Sequence, residues 1–240
     1  MKRLLLLIPM FLAGAAQGQE PADTVRPVKL TLDFGLIDAS GNTNLTTLTS
    51  GEHLEYRADR MEIVQNGSVI YGRTEGVTST EQILTGVRFN FMVAKAVGVF
   101  VGGGYERNRF AGLARRWNES AGLSFRLFDI PTDNWMLELG AALNQERSTA
   151  GVSHNFTSLR GATTFRNNYT KTTFLTQSFE YLPNVSDFND ARVNSETAIV
   201  APVANKIALK IAYLVKFDNA PEPGFEKTDR IFTSGVQIVF

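Results

Sequence analysis

The chain has no cysteine, which excludes a disulfide framework, a thiolate metal centre and a cysteine nucleophile. It also lacks net charge, because 24 basic side chains are matched by 24 acidic ones. Without a positive field there is nothing to draw in a polyphosphate, so nucleic acid is not an expected partner. Histidine is scarce. The two present, His53 and His154, are too far apart to suggest metal-ligand spacing. Beyond residue 18 no apolar run approaches the roughly 20 residues that a membrane-spanning helix needs. The run 97–101 contains Gly98 and leads into Gly102, Gly103 and Gly104. Yet a hydrophobic share of 43% is too high for a disordered chain.

What is present begins with Lys2 and Arg3, an apolar stretch over 4–16 and the small residues Ala15, Ala16 and Gly18. A basic start, a compact apolar segment and small residues at its end are the parts of a secretory signal peptide. The division expected is a signal peptide over 1–18, a periplasmic lead over 19–27 and one domain over 28–240. The exported product is then either soluble or a membrane barrel, the other spanning structure whose backbone is fully hydrogen-bonded.

Period-two alternation decides between these. Val28, Leu30, Leu32, Phe34 and Leu36 alternate with Lys29, Thr31, Asp33 and Gly35. The same pattern places apolar lines along 83–91, 97–101, 121–127, 135–143, 209–217 and 232–240, each interleaved with Gly, Ser and charged residues. Weaker alternation covers 48–58, 61–73, 155–166, 169–182 and 192–201. The total is about twelve strands of roughly ten residues or more, long enough to cross a bilayer when tilted. The connections alternate as well. They are short around 59, 94–95, 129–134, 167–168 and 203–206, and longer around 41–44, 74–80, 107–115, 148–154, 183–191 and 218–227. The fold class expected is all-β: a transmembrane antiparallel up-and-down β-barrel with short periplasmic turns and longer extracellular loops.

A soluble sandwich also alternates, but its strands usually run about 5–6 residues. Aromatic residues near strand ends (Phe91, Tyr105, Trp117, Trp135, Tyr181, Phe217) suit the two interfacial girdles of a bilayer. The polar line carries Arg88, Arg126, Glu138, Glu196 and Lys210, charges that need a watered lumen or each other. Phe240 ends the last apolar line, and a terminal aromatic on a final amphipathic strand resembles the signal read by the outer-membrane assembly machinery.

Three separated segments carry a family resemblance: Gly41-Asn42-Thr43-Asn44, the run from Gly104-Tyr105-Glu106-Arg107 through Asn108-Arg109-Phe110-Ala111-Gly112-Leu113, and the run from Ala220-Pro221-Glu222-Pro223 through Gly224-Phe225-Glu226-Lys227-Thr228-Asp229. In order, and across most of 28–240, the chain resembles the salt-induced outer-membrane proteins, a domain of unknown function. It departs from their pattern at Ala114, where an acidic residue often precedes the arginine pair, and at Glu222, where a second proline is usual. The resemblance implies a Gram-negative outer-membrane barrel and brings no catalytic residues with it.

Among candidate sites, Glu106 with Arg107, Arg109, Arg115 and Arg116 is the densest charge in the chain. Arginine binds phosphate bidentately, so Arg107, Arg109, Arg115 and Arg116 form a candidate anion or lipopolysaccharide contact at the outer rim. The competing reading is a solvated loop with an internal Glu–Arg pair. His53 lies near Ser50 and Glu55, but no nucleophile motif surrounds them. Asp218, Glu222, Glu226 and Asp229 offer oxygen ligands, interrupted by Lys227 and Arg230. No cofactor, metal or catalytic residue is expected. The partners expected are outer-membrane lipids, lipopolysaccharide and the assembly machinery. The function expected is a narrow channel or envelope-structural protein. A rim hydrolase and a loop-mediated adhesion barrel are the alternatives.

Overall fold

The computed structural model describes residues 27–39, 45–130, 133–170 and 173–240. The proposed signal peptide, most of the periplasmic lead and the Gly41–Asn44 segment lie outside the described residues. Among the described residues no helix is long and apolar enough to cross a membrane.

Twelve strands follow one another: β1 Val28–Ala39, β2 Leu45–Ala58, β3 Met61–Thr74, β4 Val77–Met92, β5 Val97–Asn108, β6 Leu113–Asp129, β7 Asp133–Ser148, β8 Ser153–Asn168, β9 Phe174–Pro183, β10 Ala191–Ala204, β11 Ile207–Asp218 and β12 Thr228–Val239. Each pairs antiparallel with its sequence neighbour, and β1 pairs with β12, so the sheet closes on itself. Closure removes the unpaired edges that an open sheet would present to lipid. Main-chain bonds link Leu30 with Phe240 in both directions, which ties the last residue into the seam. β1 thus begins and β12 ends at one rim, together with the tight β2–β3 and β10–β11 turns, the rim that is periplasmic in barrels of this kind.

The wall is apolar outside and polar within. Leu139 and Ile211 are 52% and 49% exposed on the outer face. The inner face buries Ala142, Ala198 and Ala212 together with Asn90, Ser124, Ser158 and Glu138. A water-soluble fold distributes these classes the other way round, and monomeric proteins rarely expose an apolar band of such extent. Hydrocarbon is the solvent that suits this exterior.

The strands run further than the alternation indicated. The connection expected over 74–80 is a two-residue turn, Glu75–Gly76, with φ of 50° and 77°. Positive φ at both positions is the geometry that matches the twist of a tight hairpin. The polar Val77–Thr80 stretch, read as loop, continues β4. Likewise β5 extends to Asn108 and β6 starts at Leu113, leaving a 3-10 turn Arg109–Ala111 between them. The strand expected from 169 begins at Phe174. Pro183 ends β9, and Pro202 sits at a register shift in β10, positions where a missing N–H is tolerated.

Candidate functional site

Alternation points every second side chain into the bore, where the charges find one another. In the outer half, Lys216 on β11 donates to Glu106 on β5, Nζ to Oε1 at 2.5 Å. The other oxygen of Glu106 accepts from Arg116 Nη1 at 3.0 Å, and Arg116 Nε donates to Glu146 at 2.7 Å. Arg192 on β10 completes the chain, Nη1 to Glu146 Oε2 at 3.3 Å, with its guanidinium 4.8 Å from the Phe156 ring. β5 and β11 are six places apart in the ring of twelve, so this chain spans the lumen from wall to wall.

A second chain lies deeper. Glu138, 4% exposed, binds Arg88 through one oxygen and Arg160 Nη1 through the other at 2.7 Å. Arg160 Nε reaches Glu180 at 2.7 Å, and Asn194 donates to the same carboxylate at 3.0 Å. The guanidinium groups of Arg88 and Arg160 stand 5.8 Å and 5.2 Å from the ring of Phe100. Phe100 shares its rung with Gly122 and Gly140, two inward positions without side chains. A Cβ on either glycine would strike the backbone of the neighbouring strand, so this part of the wall admits glycine alone. Lys210 bonds Asp33 at 3.1 Å and approaches Glu196 at 3.5 Å, while Gln237 donates to Asp33 at 2.9 Å. Arg126 also stands on the inward line, opposite Met136 near the short-turn end.

The outer mouth is covered. Gly112 has φ of 79°, and a Cβ there would meet Glu222 Cβ and the Phe225 ring, each at 2.9 Å. The β11–β12 connection therefore reaches the β5–β6 turn on the opposite wall. Asn108 Nδ2 donates to Asp229 at 3.5 Å beneath it. The acidic residues of that connection do not converge on one point. Asp229 turns towards Asn108, and the Asp218 carboxylate accepts from the Ala220 N–H. Among the described residues no group of three or more potential metal ligands assembles.

The arginine cluster divides between the two faces, a correction to grouping Arg107, Arg109, Arg115 and Arg116 at one rim. Arg116, its side chain 15% exposed, belongs to the bore. Arg115 points outward, as strand alternation requires of its neighbour, and stands directly opposite Arg147. Arg107 also faces outward, 3.0 Å from Glu81, while Arg109 is exposed on the 3-10 turn. The same rule separates Ser50 from His53. Ser50 pairs with outward-facing Phe34, while His53 pairs with inward-facing Thr31, so serine and histidine lie on opposite faces of the wall. His53 instead contacts Asn66 at 2.6 Å.

The profile described as Protein of unknown function, DUF481, matches residues 32–240. The chain belongs to the DUF481 family. An uncharacterized protein of Escherichia coli (strain K12), YdiY, is 24% identical over 216 residues, which cover 88% of this chain and 82% of YdiY. Among solved structures, the NanC porin is similar with a TM-score of 0.53 at 9% identity, covering 88% of this chain and 98% of NanC. The KdgM porin gives a TM-score of 0.45 at 9–10% identity and an equally high coverage of its own chain, 99%. The fold is that of a porin-like outer-membrane β-barrel.

For this DUF481 member, sequence reasoning missed most partners of the interior charges. Glu146, Arg160, Glu180, Arg192 and Lys216 all sit on inward lines. The alternation could have assigned their face. Their pairing across the bore depends on which strands lie opposite, and that requires the strand count. Arg147 was missed because it sits at the upper end of a strand read as ending near Asn144.

Proposed function

We propose that this protein is exported to the bacterial outer membrane and acts there as a narrow channel for small ions and polar solutes, constricted by its own side chains. The observation that carries this reading is the Lys216–Glu106 pair between opposite walls, continued by Arg116, Glu146 and Arg192. A twelve-stranded barrel is already much narrower than a 16-stranded porin, and these side chains occupy the bore that remains. Charged rings and constrictions of this kind set which ions pass and how fast.

Export after cleavage behind Gly18, and delivery of Phe240 on the last strand to the assembly machinery, belong to the same proposal. No hydrolytic role is proposed, since Ser50 and His53 do not share a face.

Single-channel recording of refolded protein in planar bilayers tests the reading. Small, salt-dependent openings are expected from the natural chain, and larger ones from Glu106→Ala/Lys216→Ala. Silence from both proteins would favour an envelope-structural role and overturn the channel.

A further inference from the structure

The outer wall carries an arrangement that the channel does not use. Arg115 and Arg147 occupy directly opposed positions on β6 and β7, both pointing away from the bore. Opposed residues on one face have Cβ atoms about 4.5–5.5 Å apart, and like charges so placed repel. Among the described residues neither guanidinium has an ion partner, and both are exposed. Arg107 stands on the adjoining strand at the same level, already bound by Glu81 at 3.0 Å. One rung lower, Tyr105 and Trp117 pack ring to ring at 4.7 Å, the pairing expected where hydrocarbon gives way to headgroups.

Beside this basic row the wall is hollow. A cleft of about 700 Å³ opens on the outer face between β3, β4 and the 3-10 turn. Val69, Ile83 and Phe110 give it apolar sides, Tyr71, Thr78 and the Arg107-bound Glu81 a polar margin, and Arg109 stands at its edge. An apolar hollow next to unpaired guanidinium groups, level with an aromatic girdle, matches an amphiphile bearing several negative charges on a rigid head. A free anion would use the arginines and leave the hollow unfilled. A singly charged phospholipid would leave at least one of the opposed arginines without a counter-charge.

We propose that this wall is a binding site for a multiply phosphorylated glycolipid of the outer leaflet, its phosphates on Arg115, Arg147 and Arg109 and one acyl chain in the cleft. Arg116 has no part in it, being committed to Glu106 and Glu146 in the bore. The site depends on the outer wall alone, and is therefore independent of whether the lumen conducts.

The test uses full-length mature protein purified in mild detergent, delipidated, and titrated with bisphosphorylated lipid A, binding being read by native mass spectrometry. Each charge-assisted contact is worth about tenfold in affinity, so Arg115→Ala/Arg147→Ala should lose about a hundredfold. Arg230→Ala, an outward-facing arginine on β12 away from the row, should lose nothing. Glu81→Gln, which frees Arg107, should bind more tightly than the natural chain, a gain that no folding defect can imitate. Dephosphorylated lipid A should bind weakly and inorganic phosphate should not compete. Equal loss in the Arg230 variant, unchanged binding in the double variant, or full competition by inorganic phosphate would overturn the site.

Discussion

Lys216 and Glu106 meet in the middle of the barrel from strands on opposite walls, Nζ to Oε1 at 2.5 Å. Their separation in sequence is 110 residues, so the pair exists only because the sheet closes after twelve strands. It joins the two halves of the wall in the way that a packed core joins the halves of a soluble domain. Within it Glu106 is held by two cations, Lys216 and Arg116.

Removing one member should therefore cost more than removing both. Glu106→Gln leaves Lys216 and Arg116 facing one another in a confined space, and should destabilise the barrel by about 3 kcal/mol. Glu106→Gln combined with Lys216→Met removes the orphaned charge and should recover most of that loss. Urea unfolding in lipid vesicles, run as a double-mutant cycle, measures the difference. Additive losses would show that the two side chains do not interact.

The outer face is not apolar throughout, since Ser50, Glu52, Gln65 and Glu119 stand on its outward lines. Glu52 points outward beside Leu32, its carboxylate accepting from Gln65 Nε2 at 2.7 Å. A carboxylate facing hydrocarbon is unfavourable, though less so than the roughly 2–4 kcal/mol of a lysine or arginine at mid-depth. Glu52→Leu should accordingly stabilise the protein in bilayers by about 1 kcal/mol. The same substitution should give no such gain if this part of the wall were wet. The urea midpoint in vesicles distinguishes the two.

Gly122 and Gly140 face each other across β6 and β7 on the inward side. Gly140→Val would press its side chain into the main chain at Ala121. Overpacking of this kind costs about 1–3 kcal/mol, and because backbone is the obstacle the upper end is expected. Gly161→Ala, where a Cβ would find only Leu139 Cδ2 at 4.0 Å, should be nearly neutral. The folded fraction recovered from refolding at a fixed urea concentration compares them.

The twelve strands could be read in the sequence because hydrocarbon outside and water inside impose a strict period of two, and the eye needs only Leu137, Leu139, Ala141 and Leu143 to see it. Their ends could not. Near the strand ends, as at Val77–Thr80 and Arg115–Trp117, polar residues stand on both faces and the alternation loses contrast. The same loss of contrast hid the division of Arg115 from Arg116, neighbours in sequence whose side chains stand on opposite sides of a wall. Pairings such as Arg88 with Glu138, or Arg192 with Glu146, span three strands and follow from closure rather than from any local motif.

The orientation of the wall is the premise on which all of this depends, and the absence of native cysteine allows it to be measured at single positions. Spin labels on Leu139→Cys and Ile211→Cys report contact with the outer face, and labels on Ala142→Cys and Ala212→Cys report the bore. In reconstituted vesicles the first two should relax with oxygen, which concentrates in hydrocarbon, and ignore a water-soluble nickel chelate, while the second two should not show that preference. Nickel access at Leu139 and Ile211 equal to that of a loop label would contradict the account, because it would mean that water, and not lipid, touches the apolar wall.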